Sequence, residues 1–276
     1  MNMPEIMILT ILLIIVLITV VCVIILQFDS DRKLDSKECS SIYSTILDPM
    51  DKVITKTIPK TIYVLWWQGW NQAPELQKRC LQTWITKNPD WNVQALDQFS
   101  ANKLLNSPPV LMRHMELAHK SDIVRIMLLE KYGGIWVDST VICNIPLDNW
   151  INNVTKEGFF AFAHDKTYMH NYELSNWFLI SNPNNYIIRK MKKCLISYWD
   201  IKISEPTDYS FFHKIFSKNV QCDPIFNQMW NKVPKLYNSA SHCKKSSIIP
   251  PVYKCTSGGG TFHCDCKLGQ NNDILI

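Results

Sequence analysis

Residues 121–143 read SDIVRIMLLEKYGGIWVDSTVIC, and the fold turns on this stretch. Asp122 and Arg125 stand three positions apart, so on a helix they project from neighbouring points of one side. Ile123, Ile126, Met127 and Leu129 give that helix an apolar face, and Lys131 suits its last turn. Gly133 and Gly134 end it, because glycine takes the left-handed C-cap conformation without a Cβ clash. Ile135, Trp136 and Val137 then form a short apolar run of interior-strand character. Asp138 therefore falls at the carboxyl end of a strand, the edge at which open α/β sheets bind ligands. Helix, glycine turn and strand also occur in α/β domains with no site there, and a surface Asp–Arg pair is ordinarily a weak ion pair. The rest of the chain has to decide.

The chain has 276 residues and a formal net charge of +5. Ile6 to Leu26 is apolar and uncharged, long enough for a transmembrane helix, which needs about 20 residues. A cleaved signal peptide has a shorter apolar region and a small-residue cleavage site; here the run passes straight into Gln27, Phe28 and Asp29. We read residues 6–26 as an uncleaved signal anchor, 27–57 as a polar stem and 58–276 as one globular domain with a cysteine-rich tail. Basic residues are scattered, which excludes a nucleic-acid footprint.

Of the ten cysteines, Cys22 lies in the apolar run. Cys243, Cys255, Cys264 and Cys266 crowd the tail beside His242 and His263, which leaves disulfides or zinc. No C-x-x-C pair is present and Cys264-Asp265-Cys266 is a poor zinc spacing, so disulfides are the stronger reading, and they need an oxidising compartment. Arg32, Lys33 and Lys37 after the apolar run point weakly to a cytosolic domain. Asp29, Asp31, Asp35 and Glu38 nearly cancel them. The cysteines and the sequon Asn153-Val154-Thr155 favour an extracytoplasmic, Golgi- or ER-like placement.

Outside the opening stretch the pattern alternates. Thr61 to Trp67 reads as a strand, Pro74 opens a helix to Lys87, Trp91 to Leu96 is a second strand, and Asp97 caps a helix through Leu105. This is the α/β alternation of a nucleotide-binding half-sheet. Phe159 to His164 and Trp177 to Ser181 are further strands; Asn184–Asp200, Asp208–Phe216 and Asp223–Val233 read as helices. His213 on the aromatic helix reads first as a satisfied structural histidine and second as a catalyst; Asp208 reads first as that helix's N-cap and His164 with Asp165 as a polar loop, with acceptor binding the second reading of these three. Gly258 to Gly260 lacks the strand and helix context of a phosphate loop.

Five segments in order, IPKTIYVLWWQGW (58–70), APELQKRCLQTW (73–84), NPDW (88–91), HKSDIVRIMLLEKYGGIWVDST (119–140) and DYSFFHKIF (208–216), resemble the capsular polysaccharide synthesis protein family. That family is related to glycosyltransferase family 32 and more remotely to the clostridial glucosylating toxins. The resemblance implies a GT-A-like domain with a mixed central sheet, and a hexosyltransferase that takes a UDP- or GDP-sugar donor to a glycan or polysaccharide acceptor with retention. It implies that Trp66 or Trp67 stacks on the nucleobase and that Asp122 and Arg125 hold the donor sugar. Asp138 matches the first carboxylate of a D-x-D motif, next to ribose and an Mn²⁺ or Mg²⁺ ion. Thr140 stands where the second, metal-ligating Asp belongs. A hydroxyl is a poorer ligand for a hard cation, so metal dependence is open. Thr140 also motivates a rival reading, a catalytically inactive glycan- or partner-binding membrane protein of the same fold.

Overall fold

The computed structural model describes residues 11, 13–21, 57–106, 115–164, 172–201, 209–237, 250–255, 257–258 and 261–262. The chain divides into two units, residues 1–46 and 47–276. In the first, residues 13–21 are helical, and among the described residues no helix is long and apolar enough to cross a membrane. The remainder of the expected anchor, and nearly all of the expected stem, lie outside the described residues.

The second unit is built on a five-stranded sheet of order β2-β1-β3-β6-β5. Its strands are β1 (Thr61–Leu65), β2 (Asn92–Leu96), β3 (Gly134–Val137), β5 (Phe159–Ala163) and β6 (Leu174–Ser181). β1 runs parallel to β2 and to β3, whereas β6 is antiparallel to both β3 and β5. The sheet is therefore mixed, as the family resemblance implies. The helices are α1 (Glu75–Lys87), α2 (Gln98–Leu104), α3 (Leu117–Tyr132), the single turn α4 (Ile151–Val154), α5 (Tyr186–Ile201), α6 (Phe211–Cys222) and α7 (Pro224–Lys232). Outside the main sheet, β4 (Val141–Cys143) pairs antiparallel with β7 (Val252–Lys254), and β8 (Ser257–Gly258) with β9 (Thr261–Phe262).

Side-chain alternation along the strands explains the two-sided core. On one face Phe178 stacks on Trp84 of α1 and meets Trp150. On the other, Phe159 packs edge-on against Trp230 of α7. All four residues of β3 are buried, as befits a central strand covered on both faces.

Local chemistry sets most element ends. Asp97 caps α2 in a reciprocal capping box with Ser100, which satisfies two otherwise orphaned amides. Asp223 caps α7 by accepting from the amides of Ile225 and Phe226, each at 3.0 Å. Gly133 ends α3 at φ 66° and Gly134 opens β3 at φ 99°. A Cβ on Gly134 would lie 2.6 Å from the Thr61 carbonyl oxygen, so the pair both stops the helix and lets β3 lie against β1.

Two expectations need correction. β1 ends at Leu65, not at Trp67, although the Trp66 amide still donates to Leu96 O at 2.9 Å and Trp67 O accepts from the Gln98 amide at 3.3 Å. α3 buries more than the one apolar face read from the sequence: Val124 and Leu128 are buried along with Ile123, Ile126 and Leu129, and so are Asp122 and Arg125. It packs against α5 as well as against β3 and β6. Cys80, Cys143 and Cys194 are buried free thiols. Asp208, Asp165 and residues 263–276, with the tail's Cys264 and Cys266, lie outside the described residues.

Candidate active site

β1 and β3 are parallel neighbours, so their carboxyl ends open on the same edge of the sheet. Trp66 and Trp67 follow β1 there and Asp138 follows β3. Together with Asp122, Arg125, Ser139, Thr140, Asn176, Tyr209, His213 and Lys254 they line a cleft of about 320 Å³. All six residues singled out from the sequence thus meet in one place, at the small end of the usual range for ligand sites.

The floor is a charged network centred on Arg125. Its Nη2 lies 3.1 Å from Asp122 Oδ1 and 3.5 Å from Asp138 Oδ1, its Nη1 donates to Asn176 O at 2.5 Å and its Nε to Ser121 O at 3.2 Å. The guanidinium also rides 5.2 Å from the Trp136 ring centroid, a cation–π contact. Asn176 Nδ2 donates to Asp122 Oδ1 at 2.9 Å. Both Arg125 and the Asp122 carboxyl are almost wholly buried, with side-chain exposures of 5% and 8%. Arg is suited to this place because its planar fork serves several acceptors at once.

Asp138 is more open, at 22% exposure, and is held from two sides. Oδ1 accepts from Trp136 Nε1 at 3.0 Å, two residues back on the same face of the strand. Oδ2 accepts from Lys254 Nζ at 2.8 Å. Burial pushes the Asp138 carboxyl up, but Lys254 and Arg125 nearby, with the hydrogen bonds from Lys254 and Trp136, outweigh it and hold the group below the usual carboxylate range. For Asp122, burial wins over the pull of Arg125, and the neighbouring Asp138 charge adds to it, so the carboxyl is raised to about 6.

The tryptophans play different parts. Trp67 Nε1 donates to Ser121 Oγ at 2.8 Å and to Leu117 O at 3.1 Å, which locks its edge to the start of α3 while the ring lines the cleft. Trp66 Nε1 is buried without a hydrogen-bond partner. His213 Nδ1 lies 3.0 Å from Leu174 O. A carbonyl only accepts, so Nδ1 carries the proton, and the ring stacks on Tyr172 at 4.9 Å. Burial pushes the imidazole down to about 4.

A divalent cation fits poorly on this donor set. Asp138 offers a single carboxylate with both oxygens engaged by cations or an indole N–H, Thr140 adds a neutral hydroxyl, and among the described residues no three His, Cys, Asp or Glu side chains converge. Hard cations take several oxygen ligands. Sequence reasoning did not name Asn176 or Lys254. Asn176 is a polar residue amid the apolar strand β6, a signal that could have been used; Lys254 sits in a three-residue strand whose partner is more than a hundred residues away, and nothing local marks it.

Open α/β sheets take their ligands at the carboxyl edge of their strands, and that is where the buried acid–arginine pair, the strand-end carboxylate and the tryptophans line the cleft. Comparison with known families narrows this. Residues 31–248 match the capsular polysaccharide synthesis protein family, and the chain belongs to it. Among curated relatives, "Glycosyltransferase afumC" of Aspergillus fumigatus is 26% identical over 167 residues, 54% of this chain and 41% of that protein. "Inositol phosphoceramide mannosyltransferase 3" of Schizosaccharomyces pombe is 24% identical over 209 residues, 67% of this chain and 52% of that protein. "Uncharacterized glycosyltransferase L373" of Acanthamoeba polyphaga mimivirus is 30% identical over 147 residues, 49% of this chain and 55% of that protein. The chain thus spans about half the length, or less, of these curated relatives. Among solved structures, "PaToxG Glycosyltransferase" aligns with TM-score 0.43 at 17% identity over 63% of this chain and 73% of that one.

Proposed function

We propose that the protein is a membrane-anchored glycosyltransferase with a GT-A-like domain, moving a hexose from a UDP- or GDP-sugar to a glycan or polysaccharide acceptor with retention. The observation that carries this reading is the network of Asp122, Arg125, Asn176 and Asp138 at the base of the tryptophan-lined cleft. Asp122 accepts hydrogen bonds from donor-sugar hydroxyls while Arg125 offers its fork to the same ring. Their work is orientation, holding the anomeric carbon in line with the acceptor. Trp66 or Trp67 stacks on the nucleobase, and Asp138 and Thr140 stand beside the ribose and diphosphate. Family membership supports the reaction class, and the mannosyltransferase among the relatives makes GDP-mannose the first donor to try. The apolar run 6–26 supplies the anchor. The sequon at Asn153 and the cysteines outside the apolar run, read as disulfide partners, favour an extracytoplasmic domain.

The test is donor turnover by the full chain in detergent, screened over UDP- and GDP-sugars with glycan acceptors, beside Asp138→Asn. We expect one donor to be turned over and the variant to lose about 10²-fold or more in kcat. A wild type that binds glycan yet turns over no donor supports the rival reading of an inactive binding protein, and full turnover by Asp138→Asn would remove Asp138 from the machinery.

A further inference from the structure

We infer that Lys254 stands in for the divalent cation, its ammonium being the positive charge that meets the donor diphosphate. This rests on the transferase reading and goes beyond it by assigning the group that carries the leaving-group charge. Lys254 Nζ lies 2.8 Å from Asp138 Oδ2, against the carboxylate a D-x-D motif would use for metal. Its side chain remains 32% exposed and lines the cleft, so the ammonium is held by Asp138 and still open to a ligand.

The charge arithmetic agrees. A dication between two carboxylates is neutral; one ammonium, one carboxylate and the Thr140 hydroxyl are neutral as well. Thr140 and Lys254 thus balance the charge of the site together. Retaining Asp at position 140 beside a single ammonium would leave an extra negative charge facing an anionic donor.

Backbone geometry fixes the lysine in place. β7 pairs with β4 so that Lys254 stands opposite Val141, and the Cys255 amide donates to Thr140 O at 2.8 Å. The turn Asp138–Val141, closed by the Val141 amide donating to Asp138 O at 3.0 Å, and the lysine's strand are therefore one stitched unit. In the transfer step the bond from the anomeric carbon to the diphosphate oxygen breaks with its electron pair going to the diphosphate. The acceptor oxygen bonds to the anomeric carbon, and the acceptor hydroxyl proton goes to the departing diphosphate. Negative charge grows on the diphosphate throughout, and a positioned ammonium stabilises it more in the transition state than before.

The test is calorimetric binding of UDP and GDP to the full chain in EDTA, for wild type, Lys254→Met and Lys254→Arg, with turnover in EDTA and in Mn²⁺ measured alongside. We expect one nucleotide to bind wild type in EDTA, about 10-fold or more weaker binding to Lys254→Met, and partial recovery in Lys254→Arg, which keeps the charge. Wild-type kcat should be the same in EDTA and Mn²⁺, and should fall about 10²–10³-fold in Lys254→Met. Melting temperatures of the variants near that of wild type confirm that the readout is not unfolding. Nucleotide binding that requires Mn²⁺, or equal binding by wild type and Lys254→Met in EDTA, overturns the assignment of Lys254 and leaves the transferase reading standing. Absence of binding to either nucleotide under every condition strikes that reading itself, and this inference with it.

Discussion

Asp122 and Asp138 are two carboxylates that share one guanidinium nitrogen, yet their environments drive them apart. Asp138, partly open and paired with Lys254, is held below the usual carboxylate range. Asp122 is sealed in; burial raises it to about 6 against the pull of Arg125, with Asp138 pushing the same way and His119 and Lys254 opposing. If the ionised Asp122 is what accepts the sugar hydroxyls, kcat/KM must fall as pH drops through about 6. We expect an acid limb with its midpoint there, absent in Asp122→Asn, whose residual rate should not vary over the same range. The stability sign is opposite to that of an ordinary salt-bridged Asp. Because the folded-state value lies above the unfolded one, near 3.8, Asp122's contribution is fully present below that pH and is lost as pH rises through about 6. Function at neutral pH thus draws on a group that the fold would rather keep protonated.

The glycine pair between α3 and β3 does more than end a helix. Gly134 sits at φ 99°, and a Cβ there would meet Thr61 O at 2.6 Å, a backbone atom of the neighbouring strand that cannot move aside. Gly134→Ala should therefore cost about 1–3 kcal/mol, a fall of several degrees in Tm for a domain of this size, read by thermal unfolding. Because β3 carries Asp138 at its far end, the same change should lower kcat. The helix stop was legible in the sequence, since two adjacent glycines after an apolar helical pattern signal it locally. The close approach to Thr61 was not, because its other half lies more than seventy residues earlier. The same distinction separates the site residues. Asp122, Arg125 and Asp138 come from one continuous helix–turn–strand segment and could be placed by spacing alone. Lys254 owes its position to a short β4–β7 ladder between distant segments, and Asn176 to the antiparallel register of β6. Even α3 misled in part: its apolar side was read as one stripe, whereas contact with α5 buries a second.

At the scale of the whole molecule, a second buried charged pair binds the helical layer together away from the cleft. Lys190 on α5 is fully buried and its Nζ lies 2.9 Å from Asp223 Oδ2, at the start of α7. Tyr186 Oη donates to the same oxygen at 2.8 Å, while Asp223 Oδ1 caps α7. The Asp223 carboxylate therefore joins α5 to α7, and the same residue's backbone amide closes α6 by donating to Asn219 O. Burial raises the Asp223 carboxyl, but Lys190, the Phe226 amide and Tyr186 more than offset it and hold the group below its ordinary range. Its stabilising contribution is thus present above the unfolded value and lost as pH falls through the folded one, the reverse of Asp122. Removing one partner of such a pair leaves the other charge buried without compensation, at a cost of about 3–5 kcal/mol. Asp223→Ala should lose about that much in urea unfolding at neutral pH, with the difference from wild type shrinking as the solution is acidified. Neither residue lines the cleft, so kcat per folded molecule should be unchanged. A fall in kcat as large as that of Asp138→Asn would mean that this layer positions the site, as well as holding the domain together.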